Sequence, residues 1–509
     1  MTWSNGLGFR GRYCLNKNIH LQFFPGMKHY LIISTLNLIF HFGAISLHSQ
    51  SAERILKKAI HAVGGEKAIE KAKSLRAVYR GVSNLSAVHQ GAKPQIDEFI
   101  WRQETLLMDL DKNASCFREE SGQTGGTYSA WQEVLKDGKG VRINLKTRKS
   151  IPVSEPNFQA NHKNNMWRIP HLVLTELSEH IHKVKPIGIQ KRGGRTCFLL
   201  EYQQNSFVVM SIFIDSLNGL PIGYEYVTED QTGQITVQYL FKKYQSEPEL
   251  GLFPSGFKVI IENRVYRDMT LFDVRHSTRI LQSPWFGELT NDFAPVSRIP
   301  YQKPTVEKIG LNGWLFRNII GYNVLVFDLG EGLAIVDAPA SFPLRVPLKT
   351  NDQVKNGIAV LENEINRIWP DKKISYIIPT HHHQDHFGGI KPICEKGVSV
   401  ITTPGNLKLT QSLCPSRSVI PVKDSLVLGK GENLLILYTF KTLHSGEILF
   451  AYLPGSKSVF EADLSDYVLT SKQFLKFMEK KRLVVDWIYG SHNSGVATLY
   501  ELEEDEPSN

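Results

Sequence analysis

The sequence predicts a layered α/β domain from about Leu311 to the C-terminus, preceded by a long antiparallel β-rich region. Three observations carry that prediction. Strand-like and helix-like segments alternate after residue 311. Before it, runs of β-branched and aromatic residues are separated by Asn-Gly, Asp-Gly and Gly-Gly signals. Ligand-type side chains recur at the ends of the later strand runs, where rigid elements present functional groups. A chain of 509 residues also exceeds what one hydrophobic core organises.

Taken in order, residues 1–49 read as an export signal, with an uncleaved membrane anchor as the alternative reading of the same apolar stretch. Lys28 and His29 precede an apolar stretch from Tyr30 to Leu47, and Leu47-His48-Ser49 offers a small-residue cleavage site before Gln50. Met27 stands directly before this pattern, so translation is expected to start there. The mature protein is expected to be exported, periplasmic or secreted, and to meet a membrane only through this leader. Ala52 to Lys73 spaces apolar residues helically on both sides of Gly64-Gly65, which predicts a helix pair. Leu75–Val82, Phe99–Leu110, Phe198–Tyr202, Val208–Asp215 and Ile235–Tyr244 read as strands, with Asp137-Gly138, Gly193-Gly194 and Asn218-Gly219 as turns. Residues 50–293 are thus expected to form a helix pair plus an antiparallel β domain. Its histidines (His61, His89, His162, His171, His180, His182 and His276) are scattered and are expected to be structural or solvated. Pro295, Pro300 and Pro304 mark 294–310 as a linker.

The formal charge of +9 is partly a terminal effect. The first 49 residues hold Arg10, Arg12, Lys17 and Lys28 and no acid; without them 55 basic residues face 50 acidic ones. No Lys/Arg run forms a stripe along a nucleic-acid backbone, so no nucleic-acid partner is expected. The five cysteines, Cys14, Cys116, Cys197, Cys394 and Cys414, contain no C-x-x-C pair, which argues against a cysteine-built zinc site. A disulfide is allowed but not demanded.

After residue 311, Asn323–Leu329 and Leu333–Val336 read as strands joined by Gly330-Glu331-Gly332. Val354–Ile368 reads as a helix, and Ile374 to Pro379 as a buried strand. That strand runs into Thr380-His381-His382-His383-Gln384-Asp385-His386. Imidazole nitrogen and carboxylate oxygen are suitable zinc ligands. In an extended loop His381 and His383 share one side with His382 turned away, while Asp385 and His386 face a second point. Three more ligand-type residues follow strand-like runs: His444 after Leu434–Phe440, Asp463 after Ser458–Phe460, and His492 after Val484–Tyr489. Phe387 and Tyr467 are candidates for pocket walls.

The Thr380–His386 motif, with Phe387-Gly388-Gly389, resembles that of the metallo-β-lactamase fold hydrolases; His444 with its Ser-Gly, Asp463 and His492 resemble the later family motifs. The likeness runs from about Leu311 to Val496 and implies a four-layer αββα domain over residues 311–509. It implies that His381, His383 and His444 hold one metal, that Asp385, His386 and His492 hold the other, and that Asp463 bridges them. Asp337 would support this set from behind. Ala462 departs from the pattern, since a glycine commonly precedes the bridging aspartate. Earlier, Pro221-Ile222-Gly223-Tyr224-Glu225, Val237-Gln238-Tyr239 and Leu252-Phe253-Pro254-Ser255 resemble the curved sheet of periplasmic lipoprotein-carrier domains, which implies an apolar concave face.

The implied function is a binuclear zinc hydrolase, with iron or manganese as alternative metals. A metal-bridging hydroxide would attack an ester, lactone, thioester or related bond of a small-molecule substrate, hydrophobic if the first sheet faces the metals. Asp385 would orient the nucleophile and accept its proton. Three rivals are an iron sulfur dioxygenase with one metal, a nuclease, and a lipid-binding protein with a structural metal. Keeping both His386 and His492 argues against the first, and seven ligand candidates exceed what a closed structural zinc site needs.

Overall fold

The computed structural model describes residues 51–84, 99–123, 128–153, 155–204, 208–230, 233–287, 294–295, 303–340, 352–415, 418–431, 433–442, 444–465, 468–492 and 496–498. The expected leader, His89 and Tyr467 lie outside them. Among the described residues no helix is long and apolar enough to cross a membrane.

The chain opens on the expected helix pair, Ala52–Val63 and Gly65–Ala72. Ser51 caps the first helix, its side chain accepting the Arg54 N–H at 3.3 Å. Gly64 adopts φ 124°, a conformation that favours glycine, and so allows the sharp reversal. Ile55, Leu56, Ala59, Ile60 and Val63 recur at helical spacing and are buried.

A fourteen-stranded sheet follows. Its first six strands, Ser74–Asn84, Phe99–Asp109, Ala114–Gln123, Tyr128–Lys136, Lys139–Asn144 and Lys149–Val153, pair in chain order. Arg264–His276 joins the free edge of Ser74–Asn84. From there the sheet continues through Gly256–Ile261, Gly233–Phe241, Pro221–Asp230, Val209–Asp215, Arg195–Gln203 and Val184–Arg192. One face carries Leu75, Ala77, Tyr79, Leu106 and Met108 into a core shared with the opening helices and with the helix Pro170–Glu179. That helix and Glu155–Met166 are additions to the β region read from sequence. Positions 170–177 are all buried, so no polar face marks a helical period.

The C-terminal region is built from two sheets whose strands lie in chain order. The first holds Thr305–Lys308, Gly313–Ile319, Tyr322–Asp328, Leu333–Val336, Ile374–Ile378, Ser399–Thr402 and Val419–Pro421; the second holds Ser425–Lys430, Asn433–Thr442, Gly446–Leu453, Ser458–Glu461, Trp487–Gly490 and Val496–Thr498. Side-chain alternation sorts the layers. Phe316, Val324, Val326, Ile335 and Ile377 pack with helical residues Leu361, Ile365, Ile390 and Leu409. Their neighbours Leu315, Leu325, Phe327, Val336 and Ile378 face Leu435, Leu437, Leu449 and Phe460 of the second sheet. Phe440, Ile448 and Phe450 close on Phe474 and Met478 of the helix Val468–Lys481. The result is helix, sheet, sheet, helix: a mixed α/β region separate from the β-rich one.

One expectation needs correction. Part of the stretch read as linker, 294–310, belongs to sheets: Thr305–Lys308 pairs with Gly313–Ile319 as an outer strand, and Ala294–Pro295 pairs with Lys149 and Ser150. Pro304 lies just ahead of the outer strand, where proline costs no ladder hydrogen bond, so proline content alone misread a strand entry as linker. Cys394 and Cys414 form a disulfide between the helix Ile390–Cys394 and the residue after Leu407–Leu413.

Candidate metal centre

The histidine loop is fastened at three places before any ligand is considered. The Asp337 N–H donates to the Ile378 carbonyl at 3.0 Å, joining the ends of the parallel strands Leu333–Val336 and Ile374–Ile378. The Leu449 N–H donates to the Thr380 carbonyl at 2.8 Å, tying the loop to the second sheet. The Ala338 N–H donates to the His386 carbonyl at 2.9 Å and the Gly389 N–H to the Ala338 carbonyl at 2.8 Å. This close approach requires Gly388, where a Cβ would lie 2.5 Å from the Ala340 Cβ and 2.6 Å from the Gln384 carbonyl oxygen.

Asp337 is fully buried in a left-handed conformation, φ 74°. Its Oδ1 accepts the Thr380 N–H at 2.9 Å and its Oδ2 accepts Nδ1–H of His386 at 2.9 Å. A carboxylate only accepts, so the His386 proton sits on Nδ1 and Nε2 turns inward. There it meets Asp463, whose Oδ2 lies 3.0 Å from His386 Nε2, 3.3 Å from His381 Nε2 and 3.4 Å from His444 Nε2. The other oxygen, Oδ1, is 2.8 Å from His492 Nε2. Asp385 Oδ2 lies 3.7 Å from His386 Nε2 and 3.8 Å from His492 Nε2, and His383 Nδ1 is 2.9 Å from His444 Nε2.

All seven ligand candidates from the sequence therefore converge. They fall into two groups whose ligand atoms lie within 4.8 Å of one another: His381, His383, His444 and Asp463, and Asp385, His386 and His492. His382 belongs to neither and is buried beside His383, ring centroids 4.8 Å apart. Exposure concentrates at His492, with 30% of its side chain accessible, so solvent reaches the centre on that side.

The electrostatics show what the donor set lacks. Burial holds His381 well below its ordinary range, and burial with His444 presses His382 down to about 3. At His386 burial is outweighed by Asp385, Asp337 and Asp463, which hold the imidazole well above that range. His492 rises to about 9, burial being outweighed by its hydrogen bond to Asp463. Asp463 stays far below the usual carboxylate range despite burial, because His444 and His386 surround it. The carboxylates draw protons onto neighbouring imidazoles, and Asp385 Oδ1 is buried with no hydrogen-bond partner. Nitrogen and oxygen donors in a buried, cation-demanding cluster fit a divalent metal.

Sequence reasoning missed several residues that hold this centre. Glu461 ends an apolar strand and is 1% exposed. Its Oε2 accepts the Leu464 N–H at 2.7 Å and its Oε1 the Ser465 hydroxyl at 2.6 Å, closing a loop in which Asp463 adopts φ 59°. A carboxylate in Ser-Val-Phe-Glu was the available signal. Asn323 and Ser491 join the two sheets: the Asn323 amide donates to the Gly490 carbonyl at 2.8 Å and the Asn323 N–H to the Ser491 carbonyl at 2.6 Å. No local pattern announces that pairing. Phe387, expected as a pocket wall, is fully buried in the packing of the first sheet's helical side. The scattered histidines of the first region are structural where buried: His171 bonds the Leu250 carbonyl at 2.8 Å and His162 the Ser115 hydroxyl at 3.2 Å.

Fold and site together define a class: a two-sheet α/β sandwich with a histidine–aspartate centre at its strand ends. Its C-terminal region carries a metallo-beta-lactamase domain, the Metallo-beta-lactamase superfamily model matching residues 323–407. The chain is similar to hydroxyacylglutathione hydrolases of Brucella ovis and Brucella abortus, each 29% identical over 148 residues, 28% of this chain and 46% of the relative. It thus spans less than half the length of these curated relatives. Among solved structures it is similar to a metallo-beta-lactamase from Pontibacter korlensis, with 17% identity, TM-score 0.30, and 39% of this chain and 95% of that one covered. The DIM-1 metallo-beta-lactamase matches at 14% identity and TM-score 0.28, over 40% and 94%.

Proposed function

We propose that this protein is an exported hydrolase with two zinc sites sharing Asp463, and that it cleaves an ester, lactone or thioester of a small molecule. The observation that carries the reading is the meeting of two ligand groups at one carboxylate. His381, His383 and His444 would hold one cation and Asp385, His386 and His492 the other. When bound, such a pair supplies an acidified water and a Lewis acid for the substrate oxygen. The chain's own residues do the rest. Asp337 keeps the His386 proton on Nδ1 and so leaves Nε2 free to ligate. Asp385, with Oδ1 unengaged, is placed to orient the attacking water and take its proton. The exposed edge of His492 marks the side from which substrate arrives.

Among the candidate bonds the thioester is favoured, because the relatives' name describes a hydrolase of hydroxyacylglutathione, and an acyl group on the glutathione sulfur is a thioester. The same reading takes residues 50–293 as a domain of its own and the region from the outer strand Thr305–Lys308 to the C-terminus as the hydrolase domain. Export is supported by the apolar stretch after Lys28 and by the Cys394–Cys414 bond, since disulfides persist in oxidising compartments.

The test is metal analysis of protein purified without added metal, alongside turnover of thioesters, lactones and esters. Two zinc ions per chain, loss of activity in chelator and recovery with zinc are expected. One iron per chain would favour the dioxygenase, and full activity in metal-stripped protein would sink the proposal. His383→Ala should abolish turnover while the metal-free protein melts as before.

A further inference from the structure

Four arginines distant in sequence gather on the face of the fourteen-stranded sheet that looks away from its main core. Leu75, Ala77 and Tyr79 point into that core, so Arg76 and Arg80 point outward. Arg76 stands directly opposite Arg275 in the register of strands Ser74–Asn84 and Arg264–His276. Like charges in facing positions work against a sheet, and among the described residues Asp273, which pairs with both guanidinium groups, is the carboxylate that offsets them. Between Val78 and Tyr79 the register slips, and the extra residue, Phe272, stands 63% exposed. Bulges re-aim side chains. Here the Arg80 guanidinium lies over the Phe272 ring, 3.8 Å from its centroid, and its Nε donates to Gln103 at 2.8 Å. Arg80 is therefore held flat at the rim, and among the described residues it pairs with no carboxylate.

Two adjoining cavities share Arg76 and Arg275. One, of about 400 Å³, reaches Arg80 and Phe272; the other, of about 290 Å³, reaches Arg279 and Trp285. Four guanidinium groups against one carboxylate leave a strong local excess of positive charge. Their planar donor forks match a tetrahedral oxyanion, and the aromatic faces can cover the body that carries it.

We propose that this groove binds a phosphate-bearing ligand, its phosphate held by Arg76, Arg275 and Arg80. Nothing in the metal-centre reading depends on it. The phosphate could belong to a soluble ester or to a phospholipid headgroup, and the experiment separates the two. The full chain is titrated with inorganic pyrophosphate by calorimetry at low salt, and floated with phosphatidylcholine vesicles with and without phosphatidylglycerol. Saturable pyrophosphate binding that fades with added salt is expected. The double substitution Arg76→Gln, Arg275→Gln should weaken it by about tenfold or more, while Lys480→Gln, on an exposed helix, leaves it unchanged. Binding of pyrophosphate alone assigns a soluble phosphate ester; binding of anionic vesicles that pyrophosphate displaces assigns a headgroup. Absence of both, or binding indifferent to the double substitution, overturns the proposal. Melting guards against an unfolding artefact. With the opposed charges relieved, Arg275→Gln alone should melt no lower than the parent, and a marked drop would show that the arginine serves the fold instead.

Discussion

Asp337 and Asp463 both occupy left-handed backbone, a conformation that costs most residues energy and is retained where surroundings over-determine it. Each is held there for the orientation of its carboxylate. Asp337→Asn tests the first. Asparagine tolerates that backbone well, so the fold should persist. Its amide, however, would present a donor or a weak acceptor to His386 Nδ1 in place of a carboxylate. Affinity for a divalent metal should fall by roughly 10- to 100-fold in chelator competition, with the metal-free melting temperature little changed. Glu461 acts one step further out, through the turn it closes. Glu461→Gln retains one acceptor oxygen and should weaken metal binding less than Glu461→Ala, which strips both bonds from the Asp463 loop. Equal affinity in all three proteins would remove Glu461 from the supporting set. These roles were only partly legible. Histidines and aspartates announce themselves by type and spacing, whereas a supporting carboxylate looks like any other acid until its partners are placed.

Among elements, the helix Ile390–Cys394 matters because it closely follows the short helix Gln384–Phe387 that carries Asp385 and His386. The disulfide pins its far end to Cys414 across a sequence separation of 20. A closed loop of that size contributes about 3 kcal/mol by restricting the unfolded chain. Replacing both cysteines by alanine should lower the urea midpoint accordingly, and reducing the parent should reproduce the loss. If reduction changes nothing, the bond contributes no stability. Strands were the elements best read from sequence: Leu333–Val336 matches its expected span, and Phe99–Asp109 ends one residue short of it. Alternation and β-branched content suffice there. The helix Pro170–Glu179 escaped because it is buried all round, and the outer strand Thr305–Lys308 because its neighbours are prolines.

At the scale of the molecule, the first region stores acid sensitivity. Burial holds His162 and His171 at about 4, far below an exposed imidazole. Unfolding lets both take up protons below about pH 6.5, where the folded forms still refuse them. Their neutral, buried state is therefore fully compatible with folding above that pH, and stability is lost progressively as pH falls from about 6.5 to about 4. The combined loss is on the order of a few kcal/mol. Urea unfolding of metal-free protein across that window should show the slope, and His171→Gln should make it shallower. A stability independent of pH there would contradict the burial argument.

The amino-acid sequence by itself determined the chemistry on offer. It supplied seven nitrogen and oxygen donors at strand ends, the alternation that builds two sheets, and the absence of a linear basic stripe. Those follow from residue type and short-range spacing. Tertiary structure decided which of these groups meet. The convergence of His386, His444, His381 and His492 on one aspartate, the pairing of Cys394 with Cys414, and the assembly of Arg76, Arg80, Arg275 and Arg279 into one groove all join residues far apart along the chain. Their proximity is set by strand order and register, which only the packed sheets fix.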